Sequence, residues 1–327
     1  MSDDKKGSVF RRKEDWFLLF YQGLIFAVYL AFFYYFSSVP WWGRISMFYV
    51  AAILTTRFEG VMHWSIHSPI FRSNRFNYLH RLTFAFIPPP AIFYRHEHLH
   101  HHLYDNIAED HTTTLAENAT EHQRVGEYTT GSMLTPAHFL YFWRQMTSGE
   151  RHECLLSFGL TWSLAAVLFY FDPYATIFFW IPVTWVLSFM VIGLYNYFDH
   201  VPGNPYDEFK LATYRPVETR WEKVLALLDL HNDSYHLTHH RYPSMHWTDI
   251  PKLHREWLGE YKRYGSPVTA LSDDDFFNPV AFVHSVWEVR RRRQEVAITR
   301  DTPTPRNPAS RRNLHPESAP RGQDSTS

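Results

Sequence analysis

Long apolar runs separated by very short polar connections set the first constraint on this chain. Trp16–Phe36 carries no charged side chain, and at 1.5 Å rise per residue it is long enough to cross a bilayer core of about 30 Å. A second run covers residues 41–56, with Arg44 near its outer end, where a long side chain can snorkel to the interface. Residues 154–171 predict a third span, Asp172-Pro173 a tight turn, and residues 174–194 a fourth span with a kink at Pro182. Residues 82–94 are apolar but too short to cross, and Pro88-Pro89-Pro90 interrupts them, so they predict an interfacial or re-entrant segment. Residues 138–143 and 221–228 predict amphipathic surface helices, the second with Trp221, Val224, Leu225 and Leu228 on one side. The pattern predicts an all-α integral membrane protein with about four transmembrane helices and a helical cap outside the bilayer.

Flanking charge orients these spans. Arg11, Arg12 and Lys13 precede the first, whereas the loops 37–40 and 172–173 hold no Lys or Arg. The positive-inside rule then puts the N-terminus in the cytoplasm, and the parity of four spans puts the cap there too. The first run is longer than a signal-peptide core and has no small-residue cleavage site, so it reads as a span. Three regions are expected: a cytoplasmic segment at 1–15, one membrane domain at 16–288, and a basic, disordered tail at 289–327.

Composition narrows the chemistry. A mean hydropathy of −0.33 conceals two populations, because 45 % of the 327 residues are hydrophobic and 18 % aromatic. A net charge of −1 provides no field for nucleic acid, and the basic stretch at 290–293 is too short to change that. The single cysteine, Cys154, excludes an intrachain disulfide framework and thiolate zinc sites; it reads as a small apolar residue at the start of a span.

The chain instead concentrates histidine, a common metal ligand. His63 and His67 are four residues apart, about 40° around a helix. His98, His101 and His102 fit an arc of about 100°, and His236, His239 and His240 repeat that spacing. His200 stands alone after the fourth span. All four groups fall on the predicted cytoplasmic side. On the same reasoning His96 and His100 lie on the opposite helix face from His98, and His231 is similarly turned from His236. His122, His138, His152, His246, His254, His284 and His315 are scattered and receive no role, although His246 follows a cluster closely.

Nine imidazoles exceed the four ligands of one tetrahedral zinc and suit two metals. Imidazole suits Fe, Zn, Cu or Ni, so spacing does not choose the element. Two redox-active irons would explain the position beside a bilayer, since O₂ activation can attack an unactivated alkyl C–H bond. Glu59, Asp105, Asn106, Asp110 and Asp199 are candidates to orient the ligating rings. Two other readings stay open. The segment His96-Glu97-His98-Leu99-His100 satisfies HExxH, the zinc-metalloprotease signature, but leaves the other clusters unexplained. A metal transporter would place its ligands at mid-membrane, where these spans hold almost nothing ionisable.

Over residues 58–257 the chain resembles the membrane fatty acid desaturase superfamily with its histidine boxes. His63-Trp64-Ser65-Ile66-His67 and the basic continuation to Asn77 look like the first box, and residues 97–102 with Asn106 and Asp110 like the second. Tyr235-His236-Leu237-Thr238-His239-His240-Arg241-Tyr242-Pro243-Ser244-Met245 matches the third most specifically. The resemblance implies a di-iron centre held by His63, His67, His98, His101, His102, His236, His239 and His240. His200 is similar to the additional histidine of the alkane-hydroxylase branch; it also resembles the Glu-His element of acyl desaturases, with Asp199 in place of the glutamate. It further implies O₂ as oxidant, a fatty-acyl or other lipid substrate taken from the bilayer, and electrons from a separate ferredoxin, or cytochrome b5 with its reductase, because no heme-binding or ferredoxin module is present. Desaturation leads; hydroxylation of an alkyl, sterol or carotenoid substrate is the alternative.

Overall fold

In the computed structural model, α1 (Trp16–Phe36) and α2 (Trp41–His67) form an antiparallel hairpin. The structure describes residues 8–86, 89–104, 136–187, 199–200, 207–231 and 233–269. α1 is apolar on all sides, as a lipid-facing helix must be. It buries Leu18, Ile25, Tyr29, Phe33 and Phe36 along one stripe and leaves Trp16, Phe20 and Leu24 outside. Arg44 closes the hairpin: its Nε donates to the carbonyls of Phe36 (3.0 Å) and Val39 (3.1 Å), and Nη1 to the Tyr174 hydroxyl at 2.6 Å. The predicted snorkelling residue thus satisfies carbonyls that the end of α1 leaves open.

The length of α2 positions the site. Its 27 residues extend about 40 Å, roughly 10 Å more than a bilayer core. Trp41, Trp42 and Ile45 at its start are exposed, whereas from Ala51 onward most side chains are buried. His63 and His67 therefore occupy the end that emerges from the lipid.

α3 (Asn74–Leu82) leads through a 3₁₀ turn at Thr83–Phe86 toward α4 (Ala91–Tyr104). The predicted interfacial segment at 82–94 therefore comprises two helix ends and a 3₁₀ turn, with residues 87 and 88 outside the described set. α5 (Pro136–Gln145) covers the expected amphipathic stretch. α6 (Ser148–Phe171) begins six residues before the apolar run suggests. A capping box starts it, with Glu150 N donating to Thr147 Oγ1 (3.3 Å) and Thr147 N to Glu150 Oε2 (2.9 Å). The charge that hid this turn is neutralised: Arg81 grips Glu153 bidentately at 2.7 and 2.8 Å.

α7 (Pro173–Leu187) starts from Asp172, whose Oδ1 accepts from Ala175 N at 2.9 Å. It is π-helical over Thr176–Trp180 and Pro182–Leu187. Pro182 is thus accommodated by wider turns, as prolines and π-bulges often disturb a helix together. Trp180 anchors α7 to α1 through edge contacts with Phe26, Tyr29 and Phe33. Residues 188–194 of the expected fourth span lie outside the described residues. Among those described, three helical segments are long and apolar enough to cross a membrane: Lys13–Phe36, Trp41–His67 and Ser148–Phe171.

The described residues continue with α8 (Arg220–Leu228), α9 (His236–Arg241) and α10 (Ile250–Arg263). α9 is too short to persist alone, and tertiary bonds fix it. Leu237 N donates to Thr213 O at 3.0 Å. Thr238 Oγ1 bonds His254 Nδ1 (2.9 Å) and Tyr261 Oη (3.0 Å) on α10. Arg241 lies over the rings of Trp257 (4.1 Å) and Phe209 (4.3 Å). The tail 289–327 is outside the described residues.

Candidate metal centre

Four stretches of chain deliver nine imidazoles to one buried place. His63, His67, His98, His102 and His239 each offer a ligand nitrogen to one group, all within 4.8 Å of one another. His101, His200 and His240 form a second group on the same criterion. His236 Nε2 joins the second, 3.0 Å from Nε2 of His200 and 3.0 Å from Nε2 of His240. All nine sequence-predicted histidines are therefore brought together, five in one group and four in the other.

Helix geometry explains the division. Within an HxxHH triplet, positions i and i+4 differ by about 40° and position i+3 lies about 60° to the other side. On α4 the close pair His98/His102 joins the first group and His101 the second. On α9 the assignment is reversed: His236/His240 serve the second group and His239 the first. Each triplet spans both groups, and His63/His67 and His200 complete them.

The nitrogens meet through Nε2. His63 and His239 are 2.9 Å apart, as are His239 and His102, and His102 and His98; His101 and His200 are 3.1 Å apart. A neutral imidazole nitrogen carries either a proton or a lone pair, so His239 and His102, each facing two others, cannot satisfy every neighbour by hydrogen bonding. A cation placed among the lone pairs can. Burial first, then neighbouring imidazoles, hold His98, His102, His236, His239 and His240 well below the ordinary value of 6.5. The rings stay neutral, as ligation requires. The residues present therefore fit a pair of imidazole-bound metals.

Surrounding groups aim these rings. His200 Nδ1–H donates to Leu211 O at 3.3 Å, which turns Nε2 inward. Asp199 Oδ2 stands 3.7 Å from His236 Nδ1, beyond a direct hydrogen bond but within reach of its charge. Glu59 accepts from the Tyr94 hydroxyl, and the Tyr94 ring stacks on His98 at 5.3 Å, so Glu59 acts through Tyr94. Trp64 stacks on His63 at 5.1 Å and donates its indole N–H to Leu230 O at 2.7 Å. Asp105, Asn106 and Asp110 lie outside the described residues.

The excluded histidines point elsewhere. His96 Nε2 lies 3.3 Å from Glu150 Oε1, and His100 Nε2 3.2 Å from the Tyr141 hydroxyl. The two outer residues of the HExxH match thus turn toward α6 and α5, away from His98. His246 pairs with buried Asp15 at 2.8 Å. Sequence reasoning missed Tyr94, Trp64, the Leu211 carbonyl and the buried ion pair between Arg57 and Asp229. Only the last left a signal, since Arg57 is a charge directly after the apolar run of α2 and needs a partner.

Three further histidines, His80 and His254 buried and His231 partly so, also set an acid limit. Desolvation lowers His80, His231 and His254 from 6.5 to about 4 each. Between those values the unfolded chain binds protons that the folded chain refuses, so their contribution is intact above 6.5 and lost as pH falls toward 4. Thermal unfolding of the detergent-solubilised protein should give a midpoint that declines through that window. A midpoint that holds or climbs on acidification contradicts the burial of these rings.

A family model described as Fatty acid desaturase matches residues 40–272, a span that includes all nine histidines. Comparison with curated proteins gives no match, and neither does comparison with solved structures.

Proposed function

Because the chain belongs to the fatty acid desaturase family, we propose that its nine-histidine centre holds two non-heme irons and desaturates a fatty-acyl or lipid chain with O₂. Membership makes it a membrane oxidoreductase of the desaturase and hydroxylase type. The observation that carries the finer reading is the convergence of nine neutral imidazoles in a group of five and a group of four. His63, His67, His98, His102 and His239 would hold one iron, and His101, His200, His236 and His240 the other. When bound, the pair supplies O₂ reduction and hydrogen removal from an unactivated C–H bond.

The chain's own residues prepare the site. Desolvation keeps the imidazoles unprotonated, so their lone pairs remain on the ligand side. The Leu211 carbonyl fixes the tautomer of His200, the Asp199 carboxylate biases His236 toward a proton on Nδ1, and Tyr94 with Glu59 holds the plane of His98. Electrons would come from a redox protein such as ferredoxin or cytochrome b5; within these 327 residues one cysteine cannot build an iron–sulfur module. The centre faces the cytoplasm, on the side of the basic N-terminal flank.

One observation favours a second reading. His200, the residue similar to the additional histidine of alkane hydroxylases, sits within the second group, which keeps hydroxylation of an alkyl, sterol or carotenoid substrate open. Mass analysis of lipids from cells producing the protein separates the outcomes. Desaturation removes two hydrogens per product; hydroxylation adds one oxygen. An unchanged lipid profile, with the electron donor supplied, overturns both.

A further inference from the structure

A groove of about 500 Å³ opens between α1, α3 and the 3₁₀ turn, and none of the nine histidines lines it. We infer that it binds an acyl chain of an anionic membrane phospholipid, whose headgroup is recognised by Arg11, Arg72 and Arg75. Its walls are hydrocarbon, including Phe26, Phe71, Phe76, Leu79 and Phe86. The polar side chains at its base bond to one another: Gln22 Nε2 donates to Thr83 Oγ1 at 3.0 Å, His80 Nε2 meets Gln22 Oε1 at 3.1 Å, and Thr83 Oγ1 donates to His80 O at 2.6 Å. The groove thus offers few unmet polar groups and suits an alkyl ligand; its volume is that of a small-molecule site, about 300–1,000 Å³.

Position and charge choose the occupant. The groove follows α1 from Leu19 to Phe26, about 10 Å along a membrane-spanning helix. That takes it from the headgroup level into the acyl region. Phe76 and Leu79 on the groove wall are about half exposed, as are Phe20 and Leu24 on the apolar α1. At the polar end, residues Phe10 and Phe71 form an antiparallel bridge. Arg11 Nε donates to Phe71 O at 3.2 Å and Arg72 Nε to Phe10 O at 3.0 Å. These two arginines are held beside the groove residues Val9 and Phe71, and exposed Arg75 adjoins Phe76. Arg12 is engaged elsewhere, with Asp249 at 2.6 Å. Hydrocarbon below and fixed guanidinium groups above match a phospholipid in the adjacent leaflet. The inference is independent of which metal the histidines hold.

The full chain, reconstituted in vesicles of equimolar phosphatidylglycerol and phosphatidylcholine and extracted into mild detergent, should retain phosphatidylglycerol selectively in native mass spectra. Gly23→Leu puts a side chain into the groove at a position where its first carbon meets nothing within 4 Å; it should lower retention about tenfold, the scale of overpacking a filled site. Arg72→Gln and Arg75→Gln, both at the surface, should each lower selectivity about fivefold. Equal retention of both lipids, or a Gly23→Leu variant that retains as much as the parent, overturns the inference. So does full displacement by an equal concentration of oleate, which has no phosphate. A dimer lost in Gly23→Leu with no lipid retained would show instead that a second copy covers the groove.

Discussion

Replacing His239 with alanine is expected to abolish turnover and remove metal from the group of five. Its Nε2 lies 2.9 Å from both His63 and His102, so it occupies the middle of that set. Outer residues that merely orient a ligand cost about 10–100-fold when lost, so a direct ligand should cost more than about a hundredfold. His200→Ala should be as severe but strip the other group, because its partners are His101 and His236. His96→Ala and His246→Ala are the comparisons: these rings face Glu150 and Asp15, and their loss should leave metal content at the parent level. Metal analysis of the four purified variants, beside product yield, checks the pattern. Equal metal loss in all four would mean that histidine number, not placement, governs binding.

The second large effect concerns stability. Arg57 on α2 and Asp229 after α8 form an ion pair with both side chains buried. Losing one partner of such a pair costs about 3–5 kcal/mol, because the other charge stays behind in a poorly solvating place. Asp229→Asn should therefore lower the unfolding midpoint sharply, whereas Arg57→Met with Asp229→Leu should recover much of the loss. The position magnifies the effect. Next to Asp229, Leu230 and His231 adopt left-handed backbone at φ 53° and 62°, unfavourable for residues other than glycine. The Leu230 carbonyl in that turn receives the indole N–H of Trp64 at 2.7 Å, and Trp64 stacks on His63 of the histidine cluster. Loosening the pair should weaken metal retention along with stability. A double variant no more stable than the single one contradicts the desolvation argument.

The helical fold and the convergence of the histidines were largely legible in the sequence, for reasons tied to period and solvent. A charge-free run such as Trp16–Phe36 permits few structures in lipid, and the i, i+3, i+4 spacing of His98, His101 and His102 fixes their faces once the segment is helical. The same periodicity correctly turned away His96 and His100. What the sequence did not disclose was distribution. Which group His239 joins, and which His236 and His240, depends on how α9 is seated, and the bonds from its Thr238 to His254 and Tyr261 of the remote α10 help to fix that. The early start of α6 was hidden because Glu150 and Glu153 look like loop charge until Arg81 and Thr147 meet them. Tyr94 and Trp64 carry no such signal, since nothing in a single sequence distinguishes a ring that supports a histidine of the cluster from one that fills a core.

Metal stoichiometry of the intact purified protein, read together with its iron spectrum, bears most directly on the paired centre. The nine-imidazole arrangement predicts two irons per chain in a nitrogen-rich environment with spectroscopic coupling between them. A single metal per chain, or zinc filling both groups of histidines with lipids left unaltered, would contradict it.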